Sequence, residues 1–133
     1  MGYYSRISGE ISVHPPLRWS EVKDTPFISQ SRSRLLRIRI EEETQPVDDG
    51  EIITRRGVCI EDDIGDSAKY YNLEAELSEI AETYPDHRFD GYIVRVGESN
   101  GDIERYSIHK GRVQTEQAIV TWPDGTPVAE AGK

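Results

Sequence analysis

The stretch Leu36-Arg37-Ile38-Arg39-Ile40-Glu41 alternates apolar and charged side chains. Because successive side chains of a β-strand point to opposite faces, this alternation predicts a strand with one buried face and one solvated face. Turn-forming residues at 46–50 follow it, and a β-rich run comes next at 52–60. The two runs therefore predict an antiparallel hairpin, with Gly57 as a candidate bulge.

One helix is predicted over residues 73–84. Apolar residues recur there at offsets of four, seven, eight and eleven, namely Leu73, Leu77, Ile80, Ala81 and Tyr84. This spacing places them on one face of an α-helix, with Asn72 as the N-cap and Pro85 beyond the end. We expect the opposite, acidic face to lie in water; it carries Glu74, Glu76, Glu79 and Glu82.

The segments on either side of these elements complete the predicted fold. A first strand over 3–13 is expected to stop at Pro15, and a short helix containing Trp19 is expected over 17–24. A polar loop at 29–33 follows it. After the long helix, apolar and β-branched runs at 89–96, 103–109 and 113–122 predict a three-stranded meander.

This order of elements predicts an α+β fold of the ferredoxin-like split βαβ type (βαββαβ), with two additional C-terminal antiparallel strands. Both helices would then cover one face of the sheet, so Trp19 should be buried beside Leu73, Leu77 or Ile80. A single domain is expected over residues 1–125, followed by a flexible C-terminal tail at 126–133.

Charge and cysteine content bound the function. The formal net charge of -9 over 133 residues opposes general binding to nucleic-acid phosphates. It suits a solvated surface, a basic protein partner or imitation of nucleic-acid charge. Cys59 is the only cysteine, and no apolar run is long enough for a membrane span or an export signal. We therefore expect a cytoplasmic protein without an internal disulfide.

No residue pattern predicts catalysis, a metal or a cofactor. The three histidines, His14, His87 and His109, lack the spacing of metal ligands. The acidic stretch containing Glu61, Asp62, Asp63 and Asp66 lacks the spacing of a calcium loop, which favours a solvated loop over an ion site. The sequence therefore predicts no enzyme activity, no bound metal ion and no cofactor.

Arginines cluster on the predicted hairpin and just before it, at Arg32, Arg34, Arg37, Arg39, Arg55 and Arg56. A basic stripe flanked by Tyr3 and Tyr4 would resemble a weak nucleic-acid platform. Pairing of the same arginines with Glu41, Glu43 and Glu51 across an outward-facing hairpin is the favoured interpretation.

The N-terminal sequence resembles that of a known group of proteins. Residues 1–6 (Met-Gly-Tyr-Tyr-Ser-Arg), 8–11 and 15–24 resemble a family of small uncharacterised proteins encoded by actinobacteria and their bacteriophages. The similarity continues at 84–91 and 122–125, and the chain also looks like phage and plasmid proteins with a ferredoxin-like domain. This resemblance implies a mobile-element origin and an accessory role, and it brings no catalytic residues.

The leading hypothesis is a noncatalytic accessory protein of phage type. It would bind a host or phage protein, such as a defence or regulatory factor, through an acidic or sheet surface. The candidate partner-binding residues are Glu74, Glu76, Glu79, Glu82, Arg37 and Arg39. Two alternatives stay open. One is a small-molecule binder or enzyme that reads an anion in a pocket beneath the long helix, and the other is a weak nucleic-acid binder that uses the stripe from Arg32 to Arg39.

Overall fold

A computed structural model describes residues 3–28, 34–65 and 68–128. Six strands and two helices make up the described part of the chain. In chain order these are β1 (Ser5–Arg18), α1 (Trp19–Val22), β2 (Leu36–Val47), β3 (Gly50–Asp62), α2 (Leu73–Thr83), β4 (Arg88–Gly97), β5 (Ile103–His109) and β6 (Arg112–Gln117). The loop predicted at 29–33 lies outside the described residues.

All six strands form one antiparallel sheet in the order β2-β3-β1-β4-β5-β6. The predicted ferredoxin-like split βαβ fold is wrong, because α1 has only four residues and α2 is the only full-length helix on the sheet among the described residues. The reason lies in β1, where Leu17 and Arg18 still pair with Gly57 and Arg56 of β3. Residues expected to begin the first helix are therefore used to extend a strand.

β1 is longer than the sequence predicted because the two prolines interrupt one ladder without ending the strand. Pairing with β3 is regular at Ile11 and Ser12 and resumes at Leu17, so the irregular stretch between them accommodates both prolines. Pairing with β4 continues without a break from Ser5 to His14. A strand can bend away from one neighbouring strand at a bulge, because the bulged residues need no backbone N–H group for pairing with that neighbour.

The predicted β2–β3 hairpin is confirmed, and so is the bulge beside Gly57. Arg39 lies opposite Cys59 and Ile40 opposite Gly57, which leaves one residue of β3 unpaired. A side chain at Gly57 would approach Ile38 to 2.8 Å, so glycine allows the sheet to pack closely here. The hairpin continues past the end of β1 as an exposed two-stranded arm at 42–55.

The core lies between one face of the sheet and α2. Leu77 and Ile80 of the helix are fully buried, as are Ile11 and Ile60 of the sheet. The predicted apolar face of the long helix is therefore confirmed. From α1, however, the fully buried side chain is Val22.

Trp19 is only half-buried, and its ring lies 5.6 Å from the guanidinium carbon of Arg55 on β3. The sequence predicts a largely buried Trp19 beside α2, whereas the ring packs at the margin of the core, against Arg55 of β3. A hydrogen bond links α1 to the end of α2: the Tyr84 hydroxyl donates to the Glu21 carbonyl at 2.8 Å.

The predicted three-stranded meander is confirmed as β4-β5-β6, although β6 ends at Gln117. After it, residues 120–128 fold back on themselves, and the Val128 N–H donates to the Val120 carbonyl at 2.9 Å. Residues 129–133 of the predicted tail lie outside the described part. No helix among the described residues is long and apolar enough to cross a membrane.

Candidate functional site

The sheet has one face that neither α1 nor α2 covers, and we call it the open face. Paired residues of neighbouring strands share a face, and successive residues alternate between faces. Because Ile11, Ile38 and Ile60 point into the helix-covered core, the residues beside them point away from it. The open face is therefore formed by Glu10, Arg37, Arg39, Cys59, Glu61, Tyr92, Val94, Val96, Ile103, Arg105, Arg112, Gln114 and Glu116.

One half of the open face is a closed network of ion pairs around Glu61. One carboxylate oxygen accepts from Arg37 Nη2 at 2.6 Å, and the other accepts from Arg39 Nη1 at 2.8 Å. Arg39 Nη2 also lies 3.4 Å from Glu10. Burial alone would raise the pKa of Glu61, but the hydrogen bonds and charges of the two arginines outweigh it and lower this pKa. Each charge in this half thus already has a partner.

Cys59 lies beneath this network and is fully buried. Its sulfur and the carboxylates of Glu10 and Glu61 lie within 4.8 Å of one another, close enough to be joint metal ligands. Burial, together with the neighbouring carboxylates, raises the pKa of the thiol far above its ordinary value, so the metal-binding thiolate is disfavoured. Because Arg39 contacts both carboxylates, the cluster is better described as an ion-pair network than as a metal centre.

The other half of the open face is apolar, and no element among the described residues covers it. Val96 lies opposite Ile103 across β4 and β5, and Tyr92 and Val94 continue the row. Tyr92 and Val96 each expose nearly half of their surface. A shallow hollow of about 260 Å³ lies here, between Tyr92, Val94 and Ile103 on one side and Glu116 and Ala118 on the other. We call this surface the apolar half.

Arg105 crosses the apolar half, with its guanidinium carbon 5.4 Å from the centre of the Tyr92 ring. Its Nε donates to Glu116 at 2.9 Å. The hydrogen bond and charge of Arg105 lower the pKa of Glu116. The guanidinium beside the hollow is therefore neutralised within the chain.

A family comparison covers nearly the whole chain. Residues 1–130 match the sequence model of a family of unknown function, DUF6205. The chain belongs to this family. The predicted relationship to a family of uncharacterised proteins is confirmed at this level. No curated protein and no solved structure matches the DUF6205 chain.

Three of the four glutamates predicted on the acidic face of α2 are exposed in the DUF6205 chain. Glu79 lies 3.3 Å from Arg34 Nη1, and Glu74 accepts a weak 3.4 Å hydrogen bond from the Thr115 hydroxyl. Glu82 is exposed near the end of the helix. These side chains remain accessible to a partner.

The fourth glutamate, Glu76, is buried, and the expectation that it faces water is wrong. Its Oε1 accepts the Leu36 N–H at 3.0 Å, and its two oxygens accept the Leu35 N–H at 3.0 and 3.1 Å. These donors lie at the outer edge of β2, where no further strand follows among the described residues. Glu76 therefore holds the helix to the sheet edge and is not a surface group.

The predicted arginine stripe is divided between the two faces. Arg37 and Arg39 lie on the open face, whereas Arg34 packs 4.9 Å from the ring centre of Phe27, a core residue. Arg55 and Arg56 pair with Glu42 and Glu43, at 2.5 and 2.7 Å. Arg32 lies outside the described residues. Tyr3 does not flank the stripe, since its hydroxyl donates to Asp102 at 2.5 Å.

The predicted acidic loop begins within β3, which contains Glu61 and Asp62, and its described residues are largely bonded within the chain. Asp62 accepts the N–H groups of Ile64 and Gly65 at 2.9 and 2.7 Å, and it also accepts the Tyr70 hydroxyl. Asp63 lies 3.5 Å from Arg37. Asp66 lies outside the described residues. Since the Asp62 oxygens already accept these donors, the arrangement favours a turn over an ion site.

The histidines have separate surroundings. His14 lies 3.5 Å from Asp90, and His109 is exposed at the end of β5. His87 contacts the Pro15 carbonyl at 2.7 Å through Nδ1 and Glu21 at 3.3 Å through Nε2. The contacts of His87 join the segment after α2 to the end of β1 and to α1, which is a structural role.

Sequence reasoning proposed Arg37 and Arg39, which lie on the open face, as partner-binding residues, but it did not predict the apolar half. The signal was present in the alternation of Tyr92, Val94 and Val96, which is typical of one strand face. That alternation does not say whether a second layer covers the face. The structure supplies this information.

Proposed function

We propose that the chain is a noncatalytic protein-binding module and that its partner docks on the apolar half of the open face. The observation that carries the proposal is an apolar row on a sheet face that no described helix covers: Tyr92 and Val96 are half exposed, and Val94 lies between them. Exposed apolar surface bordered by polar residues is a common mark of protein interfaces. The hollow beside Tyr92 would accept an apolar side chain of the partner.

Two further features support binding over catalysis. The charged groups around Glu61 are paired with one another, and the buried thiol of Cys59 is held in its protonated form. Close by in the chain, Ile119, Val120 and Trp122 each expose more than half of their surface. Large exposed aromatic and aliphatic residues are the usual anchors of protein interfaces.

The test is capture of partners from a lysate of the source organism by three forms of the chain. The wild type should retain specific proteins, and the double variant Tyr92→Ser with Val96→Ser should lose them. The matched control, Glu79→Gln with Glu82→Gln, alters the acidic helix face instead and should retain them. Equal capture by all three forms, or loss only in the helix variant, would contradict docking on the apolar half.

A role as a phage accessory factor in the bacterial cytoplasm completes the proposal. The N-terminal resemblance and the single cysteine motivate it. The partner would be a host defence or regulatory protein. Identification of the captured protein by mass spectrometry tests this part separately, and a partner from the organism's own constitutive machinery would argue against a defence role.

A small-molecule function is the second candidate, because the apolar half contains the hollow of about 260 Å³. This volume is at the lower limit of ligand pockets, which span roughly 300–1,000 Å³. Arg105, which would read an anion there, is already bonded to Glu116. A thermal-shift screen against nucleotides and metabolites distinguishes the two candidates, since a ligand at 100 times its Kd adds about 2.7 kcal/mol of stability.

A further inference from the structure

The outer edge of β6 presents backbone groups without partners among the described residues. In an antiparallel pair, backbone groups alternate between pointing at the neighbouring strand and pointing away from it. The Ala118 N–H donates to Ile103 of β5 at 2.8 Å, so every second residue back from Ala118, including Gln114, also faces β5. The N–H and C=O groups of Val113, Thr115 and Gln117 therefore point outward.

Among the described residues, several of the devices that usually protect a sheet edge are absent from β6. Natural sheets shield their edges with prolines, bulges, inward-pointing charges or a covering segment. β6 contains no proline, its register with β5 is regular throughout, and five of its six residues are exposed. Such an edge can accept another strand by backbone hydrogen bonding alone.

The sequence of β6 is complementary to itself in one antiparallel register. If two copies pair with Gln114 opposite Gln114, then Val113 lies opposite Thr115 and Arg112 lies opposite Glu116. The outward backbone groups of Val113 and Thr115 then face each other, as hydrogen bonding requires. Both Arg112–Glu116 pairs have opposite charges, and cross-strand pairs of opposite charge stabilise a sheet.

Charge also selects this edge as a contact between copies. Two chains of net charge -9 repel each other in most orientations. β6 is locally neutral, because Arg112 and Glu116 are its only charged residues. A contact centred on Gln114 thus brings the two copies together without adding charge repulsion between the paired strands.

We propose that two copies of this chain associate through β6, antiparallel and centred on Gln114, to form one continuous sheet. The interface is isologous, as in most symmetric dimers. It leaves the open face uncovered, so the two apolar halves would lie on the same side of the joined sheet. The proposal does not require the function proposed above, because the contact is made by the backbone groups of β6 and not by a partner docked on the apolar half.

The first experiment measures the mass of the full chain by sedimentation over a wide concentration range. The wild type should change from monomer to dimer as concentration rises. Thr115→Pro removes one outward N–H from each copy and should weaken association about tenfold or more. Thr115→Val keeps the N–H and should associate as the wild type does. A wild type that stays monomeric, or equal association by both variants, overturns the proposal.

The second experiment tests the register with charge reversal. Arg112→Glu places like charges opposite each other at both pairs and should weaken self-association about tenfold, and Glu116→Arg should do the same. In a mixture of the two variants, the acidic side chain introduced at position 112 of one copy faces the basic side chain introduced at position 116 of the other. The unchanged Glu116 and Arg112 also face each other. The mixture should therefore form heterodimers, whereas each variant alone associates about tenfold more weakly than the wild type. Misfolding cannot produce this recovery, and its absence overturns the register.

Discussion

The two edge strands of the sheet, β2 and β6, differ in whether their outward backbone N–H groups are hydrogen-bonded. At the β2 edge, Glu76 accepts the Leu35 and Leu36 N–H groups, and the Phe27 carbonyl accepts the Ile38 N–H at 2.7 Å. At the β6 edge, the outward N–H groups of Val113 and Thr115 have no partner among the described residues. The β2 edge is closed by its own chain at Leu36 and Ile38, whereas the β6 edge is available to a second chain.

The difference shows how a protein can close a sheet without another strand. A buried carboxylate accepts two adjacent backbone donors at the β2 edge, and charge-assisted bonds of this kind are stronger than neutral ones. Farther along β2, Pro46 offers no N–H at all. The β6 edge has neither device, which makes it the natural place for association.

Among substitutions that test this difference between the two edges, removal of the Glu76 carboxylate should have the largest effect on stability. Glu76→Ala leaves two buried N–H groups without an acceptor and should lower the free energy of unfolding by about 2–4 kcal/mol. The matched control is Glu82→Ala on the exposed side of α2, where the loss of a solvated side chain should change stability by no more than about 0.5 kcal/mol. Urea denaturation of both variants measures the difference. Equal stability of the two would contradict the capping role of Glu76.

A milder change should separate the charge of Glu76 from its role as an acceptor. Glu76→Gln keeps one acceptor oxygen but loses the charge-assisted character of the bonds. The expected loss of unfolding free energy is about 1–2 kcal/mol, between the wild type and Glu76→Ala. Thermal denaturation of the three proteins should give melting temperatures in this order. A Glu76→Gln variant as stable as the wild type would mean that the charge is dispensable.

Proline substitution should have a much smaller effect on the monomer at the β6 edge. At low concentration, Thr115→Pro should stay within about 1 kcal/mol of Thr115→Val, because the lost N–H points outward. The neighbouring substitution Gln114→Pro removes a bond to β5 and should destabilise the fold more. Equal destabilisation by the two prolines would mean that the assigned direction of the β6 backbone groups is wrong.

Hydrogen exchange can show the contrast without any substitution. The Leu36 and Ile38 amides should exchange slowly at every protein concentration, because their acceptors belong to the same chain. The Val113 and Thr115 amides should exchange quickly in dilute solution and slow down as copies associate. NMR exchange rates at two concentrations test this directly. Fast exchange at Leu36 would contradict a closed β2 edge.

The sequence determined the local elements where a strong period was present. Alternation at 36–41 gave the hairpin, and the spacing of Leu73, Leu77 and Ile80 gave the long helix. Each pattern is local, because the period follows from backbone geometry within one element. Gly57 was identified as a bulge because an isolated glycine within a strand pattern often marks one.

What the sequence could not determine was which neighbour each element meets. Glu76 follows the pattern of an exposed helix residue, yet it is buried. The reason is that the edge of β2, forty positions away in the sequence, supplies backbone N–H groups that need an acceptor, and the Glu76 carboxylate takes the place of water there. Trp19 looked like a core residue, but its four-residue helix places Val22 in the core instead.

The open face and the two edges exist only once the six strands have taken their order. Tyr92 and Val96 have the same local pattern whether a second layer covers them or not, and β6 has the same sequence inside a sheet or at its edge. Local periodicity records which side of a strand is apolar. Only the tertiary arrangement decides which apolar sides and which backbone donors remain without partners, because burial and hydrogen bonding depend on residues distant in the chain.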